Sequence, residues 1–286
     1  MNRTTMSYMV ATIVAFAALG ALTMQPTLVM AQPQQPFVNT AFGDPTTRTI
    51  ATTTRTADPT TTTTTTNPAC GQVVSGNVTL TSNLNCAGDG LIVGADHTVI
   101  SLNGYSLSGP GKDSSKVGIM IPATSDVEVR GPGAINNFQA GVLMTGAMHA
   151  KVSTLIAQDN QIAIFMTGTR DTMVSENILK RNTIAIAAHS ADGIDAETNI
   201  LTGNALAGVT VVNTFGSTVS TNTIEGSTNG IFIDPQSNNN VVDSNTALKN
   251  VEDMNNANGL PTNINHNDYK NNNCQVSMPS GLCKGT

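Results

Sequence analysis

The sequence contains no tryptophan, and only seven phenylalanines and three tyrosines among its 286 residues. Aromatic rings supply the flat apolar surfaces on which sugars stack, so the chain offers few such surfaces. Charged residues make up only 11% of the chain, with a net charge of −6 and no cluster of lysine or arginine. Proteins that bind nucleic acid neutralise phosphates with such clusters, so no nucleic-acid partner is predicted.

Cysteine is also scarce, with two close pairs near the ends of the repetitive part of the chain, Cys70 with Cys86 and Cys274 with Cys283. Neither pair has the short spacing of a zinc site. In an exported chain the pattern favours two local disulfides, although four cysteines allow three pairings.

The first 31 residues have the pattern of a secretory signal. Arg3 precedes an apolar run from Met9 to Leu22, and residues 29–31 form a cleavage-like site. An uncleaved N-terminal anchor is the alternative. Both place the remaining chain outside the cytoplasm, in the secreted or cell-surface class, and no further transmembrane segment is predicted.

Residues 32–69 are dominated by threonine, proline and glutamine, with uninterrupted threonine from 60 to 66. A segment with so few large apolar side chains cannot offset its ordering entropy by burial. A disordered linker or stalk is therefore predicted here, and O-glycosylation of its threonines is one interpretation.

A repeat of 22 or 23 residues organises the chain that follows. Each unit begins with glycine or alanine, and its second and fourth residues are apolar, which predicts a short strand with one inward face. One unit cannot bury this face alone, so the units must stack. The units begin at Gly118, Gly141, Ala163, Ala185, Gly208 and Gly230.

Three short strands per turn are predicted, each adding a row of apolar side chains to a narrow core. Stacked parallel strands of this kind form an all-β parallel β-helix, with roughly seven to eight turns over residues 70–252 and a C-terminal cap or tail over 253–286. The inward rows are Ile119, Val142, Ile164, Ile186, Val209 and Ile231; Val129, Val152, Val174, Ala196, Val219 and Val242; and Leu179, Leu201, Ile224 and Ala247.

Asparagines recur in two further registers and predict ladders of stacked amides at the turns, which is a structural role. One register holds Asn177, Asn199, Asn222 and Asn245, and the other holds Asn137, Asn160, Asn182, Asn204 and Asn250.

These units resemble the right-handed parallel β-helix repeats of the pectin-lyase-like superfamily, and most closely the NosD-type secreted repeat proteins. The shared features are the G-[IV]-x-[IVM] starts, the strand valines and the N-x-[IL] turns, over about residues 70–252. The resemblance implies the fold but not one activity, because the superfamily contains lyases, hydrolases, epimerases and noncatalytic surface proteins.

Motifs of the catalytic branches are missing. The N-T-D, D-D, G-H-G and R-I-K elements of the hydrolases do not occur, and the Asp-Pro-His of the epimerases is replaced by Asp234-Pro235-Gln236. The copper role of some NosD-type proteins implies Met, His or Cys ligands. The available donors are Met148, His149, Met173 and His189, which are scattered over two or more turns.

Ionisable residues gather along one predicted edge, where the first strand of each turn passes into the second. A sugar-acid lyase needs oxygen ligands for Ca²⁺ and a base, and a glycoside hydrolase needs two carboxylates. A solvated face with incidental ion pairs is the alternative. The candidates are Asp192, Asp195 and Glu197 as catalytic or metal-binding carboxylates, Arg170 and Lys151 as bases, and His149, Asp171 and His189 for ligand binding.

The outward positions of the first strand form an apolar stripe that includes Met120, Leu143, Phe165 and Phe232. An exposed apolar row of this kind calls for a cover, either the C-terminal tail or the insertion at 109–116, or else for a partner.

The sequence favours a secreted or surface-displayed β-helix that binds extracellular polysaccharide without clear catalytic machinery. A polysaccharide lyase or hydrolase acting on an acidic polysaccharide is the enzymatic alternative, with Ca²⁺ as the cofactor of a lyase. A structural protein that self-associates through the apolar stripe is the third.

Overall fold

The computed structural model describes residues 67–284, so the predicted signal segment and nearly all of the predicted linker lie outside the described residues. The described part contains 27 strands and no helix. The first nine are β1 (Gln72–Val74), β2 (Asn77–Thr79), β3 (Leu84–Asn85), β4 (Leu91–Val93), β5 (Val99–Ser101), β6 (Ser106–Ser108), β7 (Val117–Ile121), β8 (Glu128–Arg130) and β9 (Ala134–Asn136). The next nine are β10 (Ala140–Thr145), β11 (Lys151–Ser153), β12 (Ile156–Gln158), β13 (Ile162–Thr167), β14 (Arg170–Ser175), β15 (Ile178–Lys180), β16 (Ile184–His189), β17 (Asp192–Glu197) and β18 (Ile200–Thr202). The last nine are β19 (Ala207–Val212), β20 (Thr218–Ser220), β21 (Thr223–Glu225), β22 (Asn229–Ile233), β23 (Val241–Asp243), β24 (Thr246–Leu248), β25 (Glu252–Asn256), β26 (Asp268–Lys270) and β27 (Ser277–Met278).

The strands form three parallel sheets that wind into a solenoid of about nine turns. This confirms the predicted β-helix, with more turns than the seven to eight predicted. Sheet 1 runs β1-β4-β7-β10-β13-β16-β19-β22-β25-β27. Sheet 2 runs β2-β5-β8-β11-β14-β17-β20-β23-β26, and sheet 3 runs β3-β6-β9-β12-β15-β18-β21-β24. Successive strands of one sheet belong to successive turns, because the chain visits the three sheets in order within each turn.

The predicted inward rows form one continuous core. The row of sheet 1 from Ile119 to Ile231 and the row of sheet 2 from Val129 to Val242 are buried throughout. The residue that begins each unit is small because the next turn packs closely against it. A Cβ atom built on Gly118 would lie 2.4 Å from the carbonyl oxygen of Gly141 in the next turn, which is too close for any side chain.

Sharp corners between the sheets use residues in the left-handed region, where φ is positive. One column at the sheet 2 to sheet 3 corner contains Thr154, Glu176, Thr198, Thr221 and Ser244, with φ between 54° and 59°. The same conformation therefore recurs once per turn at the same corner.

Both asparagine ladders are present, but two predicted members of the second, Asn137 and Asn250, are not joined to it by amide–amide bonds; Ser227 stands in the turn between Asn204 and Asn250 and its N–H donates to Asn250. The side-chain Nδ2 of Asn177 donates to Oδ1 of Asn199 at 3.0 Å, and the chain of amide bonds continues through Asn222 and Asn245 to Asn272. Asn160, Asn182 and Asn204 form the second ladder.

The sequence predicts Asn137 in the second register, but this residue lies outside the ladder. The backbone N–H of Phe138 occupies the equivalent position and donates to Oδ1 of Asn160 at 2.9 Å. Asn137 is instead an exposed corner residue with φ 60°. A third ladder, from Asn240 to Asn267 at 3.0 Å, has no counterpart in the sequence prediction.

Disulfides Cys70–Cys86 and Cys274–Cys283 are formed, as the close spacing of each pair suggested.

Strands β26 and β27 continue sheets 2 and 1 through residues 268–278. No helix of the described residues is long and apolar enough to cross a membrane.

The asparagine ladder generates a stability prediction. Asn199 accepts from the backbone N–H and the Nδ2 of Asn177, at 3.0 Å each, and its own Nδ2 donates to the carbonyl of Val174 at 2.8 Å. Asn199→Ala leaves these buried groups unpaired, and we expect a loss of about 3 kcal/mol or more in the free energy of unfolding.

Urea unfolding monitored by circular dichroism measures this loss. Asn137→Gly is the matched control, since this exposed side chain is outside the ladder and glycine readily adopts its positive φ. Equal unfolding midpoints for Asn199→Ala and wild type would show that the ladder does not stabilise the fold.

Candidate functional site

The corner between sheets 1 and 2 brings the ionisable residues together in two adjacent columns, which we call the 1–2 edge. In the first column each residue is bridged to its equivalent in the next turn. This column contains Ser125, Met148, Arg170, Asp192, Phe215 and Asn238.

The second column of the 1–2 edge consists of the residues that directly follow the first. All have positive φ, so the chain turns sharply at each of them. Its members are Asp126, His149, Asp171, Gly193, Gly216 and Asn239, with His97 at the same position one turn earlier.

Histidines and aspartates alternate along the first four turns of this second column. Nδ1 of His97 lies 3.7 Å from a carboxylate oxygen of Asp126, and Nδ1 of His149 lies 3.5 Å from the other. Nε2 of His149 faces the carboxylate of Asp171 at 3.7 Å. The side chains are mostly exposed, so these pairs are solvated contacts rather than a desolvated catalytic array.

Phe215 is the residue of this edge that sequence reasoning missed. Its side chain is 37% exposed, whereas Phe138, Phe165 and Phe232 are buried. It stands in register with Asp192 and is followed by Gly216, so no side chain rises beside the ring at that position. The available signal was its place in the repeat, since position 215 is equivalent to the candidates Arg170 and Asp192.

Asp195 and Glu197 lie elsewhere, on the outer face of strand β17 in sheet 2. Asp195 continues the row of Lys151 and Met173, and Glu197 continues a separate row beside it. Burial raises the pKa of the Asp195 carboxyl above its ordinary value.

His189 is separated from these carboxylates, because it ends strand β16 on the outer side of sheet 1. Its Nδ1 is buried and has no hydrogen-bond partner among residues 67–284. Burial lowers the pKa of this imidazole, and the charge of Asp234 opposes the shift more weakly. The candidates His189, Asp192, Asp195 and Glu197, predicted to gather along one edge, therefore spread over sheet 1, the corner and sheet 2.

The candidate carboxylates do not form a calcium centre in the described part of the chain. Within residues 67–284, no group of three or more His, Cys, Asp or Glu side chains is arranged to hold a metal ion. A role of Ca²⁺ in solution stays a prediction.

The apolar stripe of sheet 1 is present but buried rather than open. Leu143 is 3% exposed and Phe165 and Phe232 are each 1% exposed, while Met120 is half-buried. These side chains are therefore not available, in this state of the chain, as the surface predicted for self-association, which itself stays a prediction.

Comparison with known families gives one assignment. The family model described as periplasmic copper-binding protein (NosD) matches residues 82–282, which is 201 of the 286 residues. The chain belongs to this family, and the resemblance predicted from its repeats is confirmed. No curated protein matches the chain in sequence.

Two solved structures are similar to part of the chain at low identity. The enzymatically active domain of tailspike protein 2 from bacteriophage CBA120 is 12% identical, with a TM-score of 0.42, over 71% of this chain and 37% of that one. ORF18 of Geobacillus virus E2 is 11% identical, with a TM-score of 0.36, over 71% of this chain and 52% of that one. The chain thus spans about half or less of these structures, and their activities are not transferred to it.

The described residues do not fit a copper site. All four cysteines are in disulfides, and the potential donors occupy three successive turns. Met148 lies at the 1–2 edge, Met173 on the face of sheet 2 and His189 on the side of sheet 1. Separated donors of this kind cannot complete one coordination sphere.

His189 generates a prediction about pH. Because burial disfavours its cation, the unfolded state binds the proton more readily than the folded state. Wild type is therefore expected to lose stability as the pH falls below 6.5, the ordinary pKa of histidine, relative to His189→Gln. Thermal unfolding of both proteins between about pH 7.5 and 5 measures the difference; parallel curves would contradict the burial effect.

Proposed function

We propose that this NosD-family chain binds extracellular polysaccharide along the 1–2 edge, without catalysing its cleavage. The observation that carries the proposal is the exposed ring of Phe215 in a bridged column with Asp192 and Arg170. A flat apolar surface beside hydrogen-bonding groups is the combination that binds a sugar ring.

The geometry of the edge suits an extended ligand. Successive turns repeat at about 4.8 Å, so the column presents its side chains in a straight line parallel to the solenoid axis. Phe215 offers a surface for one sugar ring, while Asp192 and Arg170 in the two preceding turns offer an acceptor and donors to hydroxyl groups. His149 and Asp171 extend the polar surface further along the same edge.

The lack of a side chain at Gly216 is a second feature that suits a binding surface. At Gly216 an added Cβ atom would contact only the carboxylate of Asp192, at 3.4 Å. The absence of a side chain there leaves the ring of Phe215 accessible from the neighbouring column.

The two disulfides support a location outside the reducing cytoplasm, where extracellular polysaccharide is found. The candidates His189, Asp192 and Asp195 lie on sheet 1, at the corner and on sheet 2, and the described residues hold no group of carboxylates arranged for a metal ion. This spread favours binding over the chemistry of a Ca²⁺-dependent lyase.

Affinity electrophoresis against neutral, uronate and amino-sugar polysaccharides tests the proposal. Phe215→Ala is expected to weaken binding of the retained polymer roughly tenfold, because loss of a stacking contact costs about 1 kcal/mol or slightly more. Ile200→Ala removes a comparably exposed apolar side chain, 46% exposed, from sheet 3 and should bind like wild type.

Two outcomes would count against the proposal. Retention by none of the polymers would remove the polysaccharide as a ligand. Equal binding by Phe215→Ala and wild type would place any binding site away from the 1–2 edge.

A further inference from the structure

The charges of the 1–2 edge are mostly of one sign. The first column begins one turn before Ser125 with Asp96, whose Oδ1 accepts the backbone N–H of Ser125 at 2.8 Å. The guanidinium of Arg170 is the one lysine or arginine side chain of the two columns. The carboxylates of the columns are Asp96, Asp126, Asp171 and Asp192. A ligand that lies along this edge therefore contacts an excess of negative charge.

Two glycines leave space beside the carboxylates that are nearest to Phe215. A Cβ atom built on Gly193 would lie 2.7 Å from Oδ1 of Asp171, and one built on Gly216 would lie 3.4 Å from Oδ1 of Asp192. Each carboxylate thus lies beside the glycine of the following turn. Because a glycine has no side chain, both carboxylates are open to a ligand from that side.

The carboxylate of Asp192 is not neutralised within the fold. Its side chain is exposed and makes no ion pair or side-chain hydrogen bond with any residue of 67–284, including Arg170 in the preceding turn. The Asp171 side chain is 68% exposed, and its contact in the described chain is His149 at 3.7 Å. Both carboxylates are therefore available to a ligand that also contacts the exposed ring of Phe215.

Cations near the edge do not reverse its sign. Lys151 lies on the outer face of sheet 2, in register with Glu128 of the preceding turn, and Asp195 continues the same row. Arg170 lies one turn before Asp192, on the side away from Phe215. A negatively charged sugar stacked on this ring would therefore lie beside a carboxylate, and like charges repel.

We infer that the 1–2 edge selects polysaccharides with basic amino sugars over uronate polymers, and that Asp171 and Asp192 determine this specificity. The inference rests on the polysaccharide binding proposed above. A protonated amine on the sugar donates hydrogen bonds to carboxylates, which only accept them, while the sugar ring lies on Phe215. Such charge-assisted hydrogen bonds are stronger than neutral ones, and repulsion of uronates adds to the discrimination.

The order of the carboxylates along the axis suits a polymer with repeated amines. Asp171 and Asp192 belong to successive turns, about 4.8 Å apart, and Asp126 lies two turns before Asp171. Each contact is weak because it is exposed to solvent. Several contacts to one polymer act together, so a charged oligomer binds more tightly than its monomer.

Oligomers of equal length that differ in charge test the inference. The probes are β-1,4-linked glucosamine, its N-acetylated form and an alginate-derived uronate, titrated calorimetrically at about pH 6, where aspartates are ionised. Wild type is expected to bind the glucosamine oligomer several-fold more tightly than the N-acetylated one, and the uronate most weakly. Because salt screens exposed charges, this preference should shrink as NaCl rises from about 0.05 to 0.5 M.

Asp171→Asn and Asp192→Asn remove one charge each and keep the size of the side chain. Each is expected to weaken binding of the glucosamine oligomer about two- to fivefold, the range of exposed charge pairs, and to leave binding of the N-acetylated oligomer unchanged. Asp113→Asn is the matched control, since this exposed residue lies in the insertion between sheets 3 and 1 and the change in net charge is the same. Circular dichroism verifies the β-fold of each variant.

Uronate binding as tight as glucosamine binding would overturn the inference. So would an equal loss in Asp113→Asn and Asp192→Asn, which would indicate an effect of net charge alone. If both amino-sugar oligomers bind equally and Phe215→Ala weakens both, the proposed function stands and the charge selection is wrong. Binding of none of the oligomers would remove both.

Discussion

The hydrogen bonds between successive turns hold each residue beside its equivalent in the next turn, and every other feature follows from that register. Backbone bonds align the three sheets, and the buried amides of Asn177, Asn199 and Asn222 repeat the alignment at a corner where the strands end. Each ladder amide bonds both to the next turn and to a backbone carbonyl. A shift of one residue would leave all of these buried groups unpaired, which makes the register cooperative.

Because of the same register, residues at one position of the repeat form one column on the surface. Residues about 22 apart in the sequence become neighbours, so Met148, Arg170, Asp192 and Phe215 form a line although nothing near them in the sequence connects them. On a helix, such residues would point in different directions around the helix axis. The parallel solenoid instead concentrates them, which suits contact with an extended ligand better than a closed catalytic pocket.

The corner between sheets 1 and 2 also explains why the candidates His189, Asp192, Asp195 and Glu197 do not converge. Asp195 and Glu197 are two residues apart on β17 and share its outer face, whereas His189 and Asp192 lie across the corner. Residues that are close in the sequence need not be close in space where the backbone turns sharply between them. Family membership is secure from the repeat, but the copper-binding description finds no matching donor set in the described residues.

The sequence by itself determined the period and the inward rows, because burial alternates along each strand and the repeat has a nearly constant length. It favoured two local disulfides but left three pairings open, and the structure decided between them. It also predicted most ladder asparagines; Asn137 was misplaced because a spacing of 23 rather than 22 moves a residue to the exposed corner. Only the tertiary structure decided that Phe215 is exposed and that Phe165 and Phe232, also phenylalanines, are buried on an outward face. Exposure depends on what packs over a side chain, and the repeat pattern does not specify that.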